Sequence, residues 1–169
     1  TSATLALGSA SVTAGQTVTI PVTVNNGTPA GLKVGAVVFT ASFDSTCLTF
    51  SSITAQGGFN PVLSPSAGAS SPIDIALLNF AGAAADGAGT VVAQITFAAS
   101  ASCTSGAYGV TMSNFSLSDA GSGSSISNVT PQNSVITVTG SAVNTPTNTP
   151  VTPTNTPVTP TNTPVTPTN

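Results

Sequence analysis

Residues 18–24 read VTIPVTV. In an extended chain successive side chains point to opposite faces, so Val18, Ile20, Val22 and Val24 share one side and Thr19, Pro21 and Thr23 the other. This is the pattern of a half-buried strand. Pro21 has no N–H to give a ladder, so it predicts an edge position or a bulge. The same period of two continues outward from this segment. Thr4–Leu7 precedes it, with Leu5 and Leu7 on one face. Gly35–Phe43 follows, with Val37, Phe39, Ala41 and Phe43 together. Leu48–Ile53, Ile73–Phe80, Thr90–Phe97, Ala107–Met112, Phe115–Ser118 and Val135–Thr139 complete the series. Turn residues stand between these runs: Gly15, Asn25-Asn26-Gly27, Gly57-Gly58, Asp86-Gly87-Ala88-Gly89, Gly106 and Asp119–Ser125. No stretch carries a sustained helical stripe. About nine short strands separated by turns predict an all-β chain folded as a β-sandwich or jelly roll. The segment Asn60–Pro72 is the longest connection and is expected to cross between the sheets. Phe39, Phe43, Phe50, Phe80, Phe97 and Phe115 fall on strand patterns and are expected in the core.

Composition changes abruptly near Gly140. Residues 1–140 are read as the sandwich domain and residues 141–169 as a separate Thr/Pro-rich stalk. A domain of this length buries about two-thirds of the surface its unfolded chain exposes. The chain of 169 residues carries one Lys or Arg and four Asp or Glu, with no His and no Trp, for a formal net charge of −3. Nucleic acid needs clustered Lys and Arg, so it is excluded as a partner. No apolar run approaches the roughly 20 residues of a membrane-spanning helix. The opening at Thr1, without the charged and apolar regions of a leader, reads as a processed chain.

Catalysis has little to work with. General acid–base chemistry uses titratable groups set in pairs, and the charged set is Lys33, Asp44, Asp74, Asp86 and Asp119. Asp44 with Asp86 is the one conceivable carboxylate pair. The ordinary reading gives both to turns: Asp44 caps the turn after its strand, and Asp86-Gly87 is a turn dipeptide. Zinc lacks its ligands, and no Asp cluster of calcium-loop spacing occurs. The chain is therefore read as a non-enzyme without a cofactor. Cys47 and Cys103 are expected to form one disulfide if the protein works outside the cell, with a pair of buried free thiols as the rival reading.

A family resemblance rests on particular stretches. VTIPVTV after a Gly-Gln turn is followed by VGAVVFTASFDSTCLTFSSI at residues 34–53, by Gly57-Gly58-Phe59, by GAGTVVAQITF at residues 87–97, and by a closing VITV before Gly140. The corner Phe43-Asp44…Leu48…Phe50 and this order of segments resemble the cohesin modules over residues 3–140. The resemblance implies a nine-stranded jelly-roll sandwich and, in true cohesins, recognition of a calcium-binding dockerin helix pair. The scarcity of charged anchors and the cysteine pair depart from the pattern of scaffoldin cohesins.

From Asn144 the chain reads NTPT and then NTPVTPT three times. Proline fixes φ and removes a donor, so the tract favours a polyproline II rod with a reach of roughly 80 Å. Such Thr/Pro tracts are stalks that carry O-linked sugar, and the candidates are Thr145, Thr147, Thr149, Thr152, Thr154, Thr156, Thr159, Thr161, Thr163, Thr166 and Thr168. The domain adds N-glycosylation sequons at Asn26, Asn114 and Asn128. Two functional expectations follow. The first is an extracellular structural glycoprotein of the cell surface, self-associating into a fibre or sheath, with Thr4–Leu7 as an open edge strand that pairs with a neighbour. The alternative is a binding module that captures a dockerin-bearing or other surface partner, with the tail as linker.

Overall fold

A computed structural model describes residues 2–28, 33–84 and 89–140, and side chains within 3–25, 33–81 and 89–140. These residues form eleven strands: β1 (Ser2–Leu7), β2 (Ala10–Thr13), β3 (Thr17–Thr28), β4 (Lys33–Phe43), β5 (Leu48–Ala55), β6 (Asn60–Leu63), β7 (Ile73–Ala84), β8 (Thr90–Ala99), β9 (Gly106–Asp119), β10 (Val129–Gln132) and β11 (Ser134–Thr139). Two sheets pack face to face, one ordered β10-β1-β3-β8-β5 and the other β2-β11-β9-β4-β7-β6. The all-β sandwich is the expected class. The expected strands 107–112 and 115–118 are one strand, β9, bulged where the register on β4 slips between Val38 and Thr40. The short strands β2, β6 and β10 are additional.

The core lies between the sheets. Ile20, Val22 and Val24 of β3 are fully buried, as their alternation requires, with Leu5, Phe50, Ile95 and Phe97 beside them. Phe39, Ile75, Leu77, Leu117 and Ile136 face them from the second sheet. Phe43 reaches across to Phe97 with ring centroids 5.0 Å apart and planes at 70°, an edge-on contact favoured by the ring quadrupoles.

Pro21 does not sit on an edge. It lies on β3, inside its sheet, and the ladder with β8 shifts register one residue later, between Val22 and Thr23. The ladder between β1 and β3 runs to Leu7 opposite Val22. At the next pair Gly8 donates to the Pro21 carbonyl at 2.9 Å, but Pro21 has no N–H with which to return the bond. The Gly8 carbonyl instead accepts the Ser134 hydroxyl at 2.6 Å. There the chain leaves the first sheet, and β2 continues beside β11 in the second.

β1 is not an open edge either. It pairs antiparallel with β3 and parallel with β10, so both of its ladder sides are occupied. The expectation of a free edge at Thr4–Leu7 fails because the closing strands return to the N-terminal one.

The connection from Asn60 to Pro72 does cross between the sheets. Its first residues form the edge strand β6. Farther on, Gly68 donates to the Phe50 carbonyl at 2.8 Å and Phe50 donates to that of Ala69 at 3.3 Å, so the loop covers the edge of β5. Cys47 and Cys103 are joined in a disulfide, with Cα atoms 5.0 Å apart. It ties the start of β5 to the turn after β8. Gly140, root of the tail, lies at this same pole, because Ala14 donates to Thr139 and Gly15 to Ala99.

Candidate functional site

Most of the exposed large apolar side chains described lie on the neighbouring strands β4, β7 and β6. Among the described residues the large apolar side chains left exposed are Val38, Val62, Leu63, Phe80 and Val135, and all lie on the six-stranded sheet. Registers set them in rows. Ser116, Val38, Ala76 and Leu63 stand in line across four strands. Ser118, Ala36, Leu78 and Asn60 form the next row.

Phe80 closes the apolar half of this face and is 92% exposed. It was expected in the core as a phenylalanine on a strand, but strict alternation sets it with Asp74, Ala76 and Leu78, on the parity opposite to the buried Ile73, Ile75 and Leu77. Beyond Leu78 the ladder with β4 is bulged: Ala36 opposes Leu78 while Val34 opposes Ala83. At the bulge Asn79 turns inward and is buried. Its amide donates to the Gly57 carbonyl at 2.9 Å, and its Oδ1 accepts from the Ala81 N–H at 3.0 Å. Satisfying this polar group fixes the parity, and Phe80 takes the outer side. Of the other aromatic expectations, Phe39, Phe43, Phe50 and Phe97 are buried and Phe115 is half-buried against the core.

Toward the disulfide pole the face turns polar. Thr40 on β4 donates to Asp74 Oδ1 at 2.7 Å and accepts from Asn114 Nδ2 at 3.4 Å. One chain of hydrogen bonds thus crosses β7, β4 and β9. The β9 bulge sets Asn114 in the left-handed region, at φ 48°, and aims its amide along the sheet. The face therefore pairs an apolar half with a polar half holding one carboxylate.

Asp44 and Asp119 are turn caps. Asp44 Oδ1 accepts from the Thr46 hydroxyl and N–H at 2.6 and 2.9 Å, and these bonds hold its pKa below the usual carboxylate value. Asp119 is lowered in the same way by the Ser122 hydroxyl and N–H. Asp86 lies outside the described residues, so no pairing with Asp44 is drawn. Among the described residues no three His, Cys, Asp or Glu gather as a metal would need, and no helix is long and apolar enough to cross a membrane.

Of the sequons, Asn114 and Asn128 are exposed and are the non-glycine residues with positive φ among those described. Asn128 is set at the N-terminal pole, where its carbonyl accepts from Ala3 at 3.3 Å. The side chain of Asn26 and the tail threonines Thr145 through Thr168 lie outside the described residues. Sequence reading missed Phe80, Asp74, Thr40 and the role of Asn114 as a group. Asp74 within the run IDIALL was the available signal, a carboxylate on the outer parity of an otherwise apolar strand.

The family model described as Cohesin domain matches residues 3–138. No curated protein sequence matches significantly. Among solved structures, the seventh ScaB type I cohesin from Pseudobacteroides cellulosolvens superposes with a TM-score of 0.66 at 20% identity, over 82% of this chain and 93% of that one. The third ScaC cohesin from Acetivibrio cellulolyticus, solved in complex with the ScaB dockerin, gives 0.64 at 23% over 82% and 99%. A non-cellulosomal cohesin from the archaeon Archaeoglobus fulgidus gives 0.62 at 16% over 83% and 93%.

Proposed function

This chain belongs to the cohesin domain family, and from that premise we propose that it is a non-catalytic extracellular binding module. It docks a dockerin-bearing partner on the outer face of β9, β4, β7 and β6, and the Thr/Pro tract of residues 141–169 acts as its linker. The observation that carries the reading is the segregation of exposed apolar side chains onto one sheet, with Phe80 at the end of the patch. A large exposed aromatic is a poor investment for folding and a common anchor in interfaces. The Asp74–Thr40–Asn114 chain supplies directional polar contacts beside it. The structural-fibre reading rests on the tail repeat, and neither the family match nor the fold neighbours support it.

Titration calorimetry with a panel of calcium-loaded dockerins, the ScaB dockerin of Acetivibrio cellulolyticus among them, tests the proposal. Binding that is lost in Phe80→Asp and Leu63→Asp supports it. A panel without a binder, or binding indifferent to both substitutions, overturns it.

A further inference from the structure

We propose that residues 2–13 are an exchangeable segment, and that the slot they fill accepts the same segment from a second copy of this chain. The segment precedes every other strand of the sandwich, and it carries no charged residue. Ala3, Leu5, Leu7 and Val12 are buried in the sandwich, so the segment supplies core rather than cover. Without it, β3 and β10 would face each other across a gap with unpaired backbone groups and an apolar floor.

Its parallel partners are the last strands of the domain. Gly8 and Ser134, bonded at 2.6 Å, lie 126 residues apart in sequence. The chain's own segment must close that loop, whereas a neighbour's segment meets the same slot at a rate set by concentration. Every contact of β1 with β3 and β10, and of β2 with β11, is the same whichever copy donates it. The two states therefore differ mainly at the hinge, which is the usual basis of strand exchange.

The hinge is short. Only Ala14, Gly15 and Gln16 separate β2 from β3, and they hold a tight turn with Gln16 donating to Thr13 at 3.0 Å and Gly15 at φ 83°. Opening it gives up that turn bond and the bonds from Ala14 to Thr139 and from Gly15 to Ala99, and releases a left-handed glycine into extended chain. The crossing between copies falls at the disulfide pole, beside Gly140. The slot is separate from the outer face of β9, β4, β7 and β6.

Thr4 and Thr130 are register partners on the parallel β1–β10 pair, and Thr130 is exposed. Full chains carrying Thr4→Cys and Thr130→Cys, one substitution each, are mixed and refolded from acidic denaturant, which suppresses exchange with Cys47–Cys103. They are then brought to neutral pH with oxidised glutathione, which takes up the two electrons as the new disulfide forms. The expected result is a disulfide-linked heterodimer whose yield rises with protein concentration, absent when Thr137→Cys replaces Thr130→Cys. Monomers alone at every concentration, or equal cross-linking to Thr137→Cys, overturn the proposal. As a second measurement, deleting Gly15 and Gln16 shortens the hinge and shifts the folded chain from monomer to dimer by light scattering. A folded variant that stays monomeric overturns it as well. Phe80→Asp leaves both readouts unchanged, so this proposal and the partner-binding one fail separately.

Discussion

Gly8 lies against the ring of Pro21 so closely that a Cβ at residue 8 would stand 2.6 Å from Pro21 Cδ and 2.7 Å from Cγ. The proline ends the β1 ladder, and the glycine makes room for its ring at the crossover between sheets. Gly8→Ala is expected to cost about 1–3 kcal/mol, since neither backbone can withdraw from the contact. Thermal melts would show a lowered Tm, recovered in the double variant Gly8→Ala/Pro21→Ala. A single variant as stable as the parent would refute the crowding.

Ser134 supplies the bond that Pro21 cannot. It is 1% exposed and its bond to the Gly8 carbonyl is partly buried, so Ser134→Ala leaves that carbonyl without its partner. The expected loss is about 1–3 kcal/mol. Urea unfolding should show a lower midpoint with an unchanged slope, and an unmoved midpoint would count against the role given to this hydroxyl.

The Cys47–Cys103 bridge spans 56 residues. In the chain-entropy account a loop of that size contributes about 4 kcal/mol by restricting the unfolded chain. Cys47→Ser/Cys103→Ser, or the parent melted in reductant, is expected to lose most of this. Matched melts with and without reductant check the claim.

Asp44 and Asp119 both have folded pKa values below the unfolded value of about 4. The unfolded chain therefore binds protons more readily in that range. The contribution is complete above about pH 5 and is lost as pH falls through 4 toward the lower folded values. Both carboxylates are fully exposed, so the effect is small. A Tm that is level from pH 7 to 5 and declines below 4 is expected, with a shallower decline in Asp44→Asn/Asp119→Asn.

Phe80→Asp separates binding from stability. The side chain is 92% exposed, so its Tm should stay within about 2 °C of the parent. Partner affinity should fall at least 30-fold, the loss of about 2 kcal/mol typical of an interface anchor. Thr40→Val should weaken binding less, by releasing Asp74 and Asn114.

The strands were largely legible because alternation is a local property. VTIPVTV places Val18, Ile20, Val22 and Val24 on one face without reference to any neighbour, and all four are buried. The candidate face was far less legible. Phe80 reads as core by its chemistry, although its parity is the outward one of Asp74, Ala76 and Leu78, and the structure leaves it exposed. Asn114 reads only as a sequon until the β9 bulge lays it beside Thr40. Pro21 reads as an edge or a bulge residue, and the structure decides for a place inside the sheet beside a bulge, with Ser134 answering for the missing N–H.

The sequence by itself determined the β class, the sandwich, the cysteines available for bridging and the chemical poverty that argues against catalysis. It also carries the Thr/Pro repeat of the tail. Tertiary structure alone decided that the N-terminal strand is enclosed, that the closing strands run parallel to it, and that one sheet presents the apolar patch. The reason is physical. Side-chain period states which face of a strand is apolar, whereas strand order and bulges follow from pairing backbone groups more than a hundred residues apart.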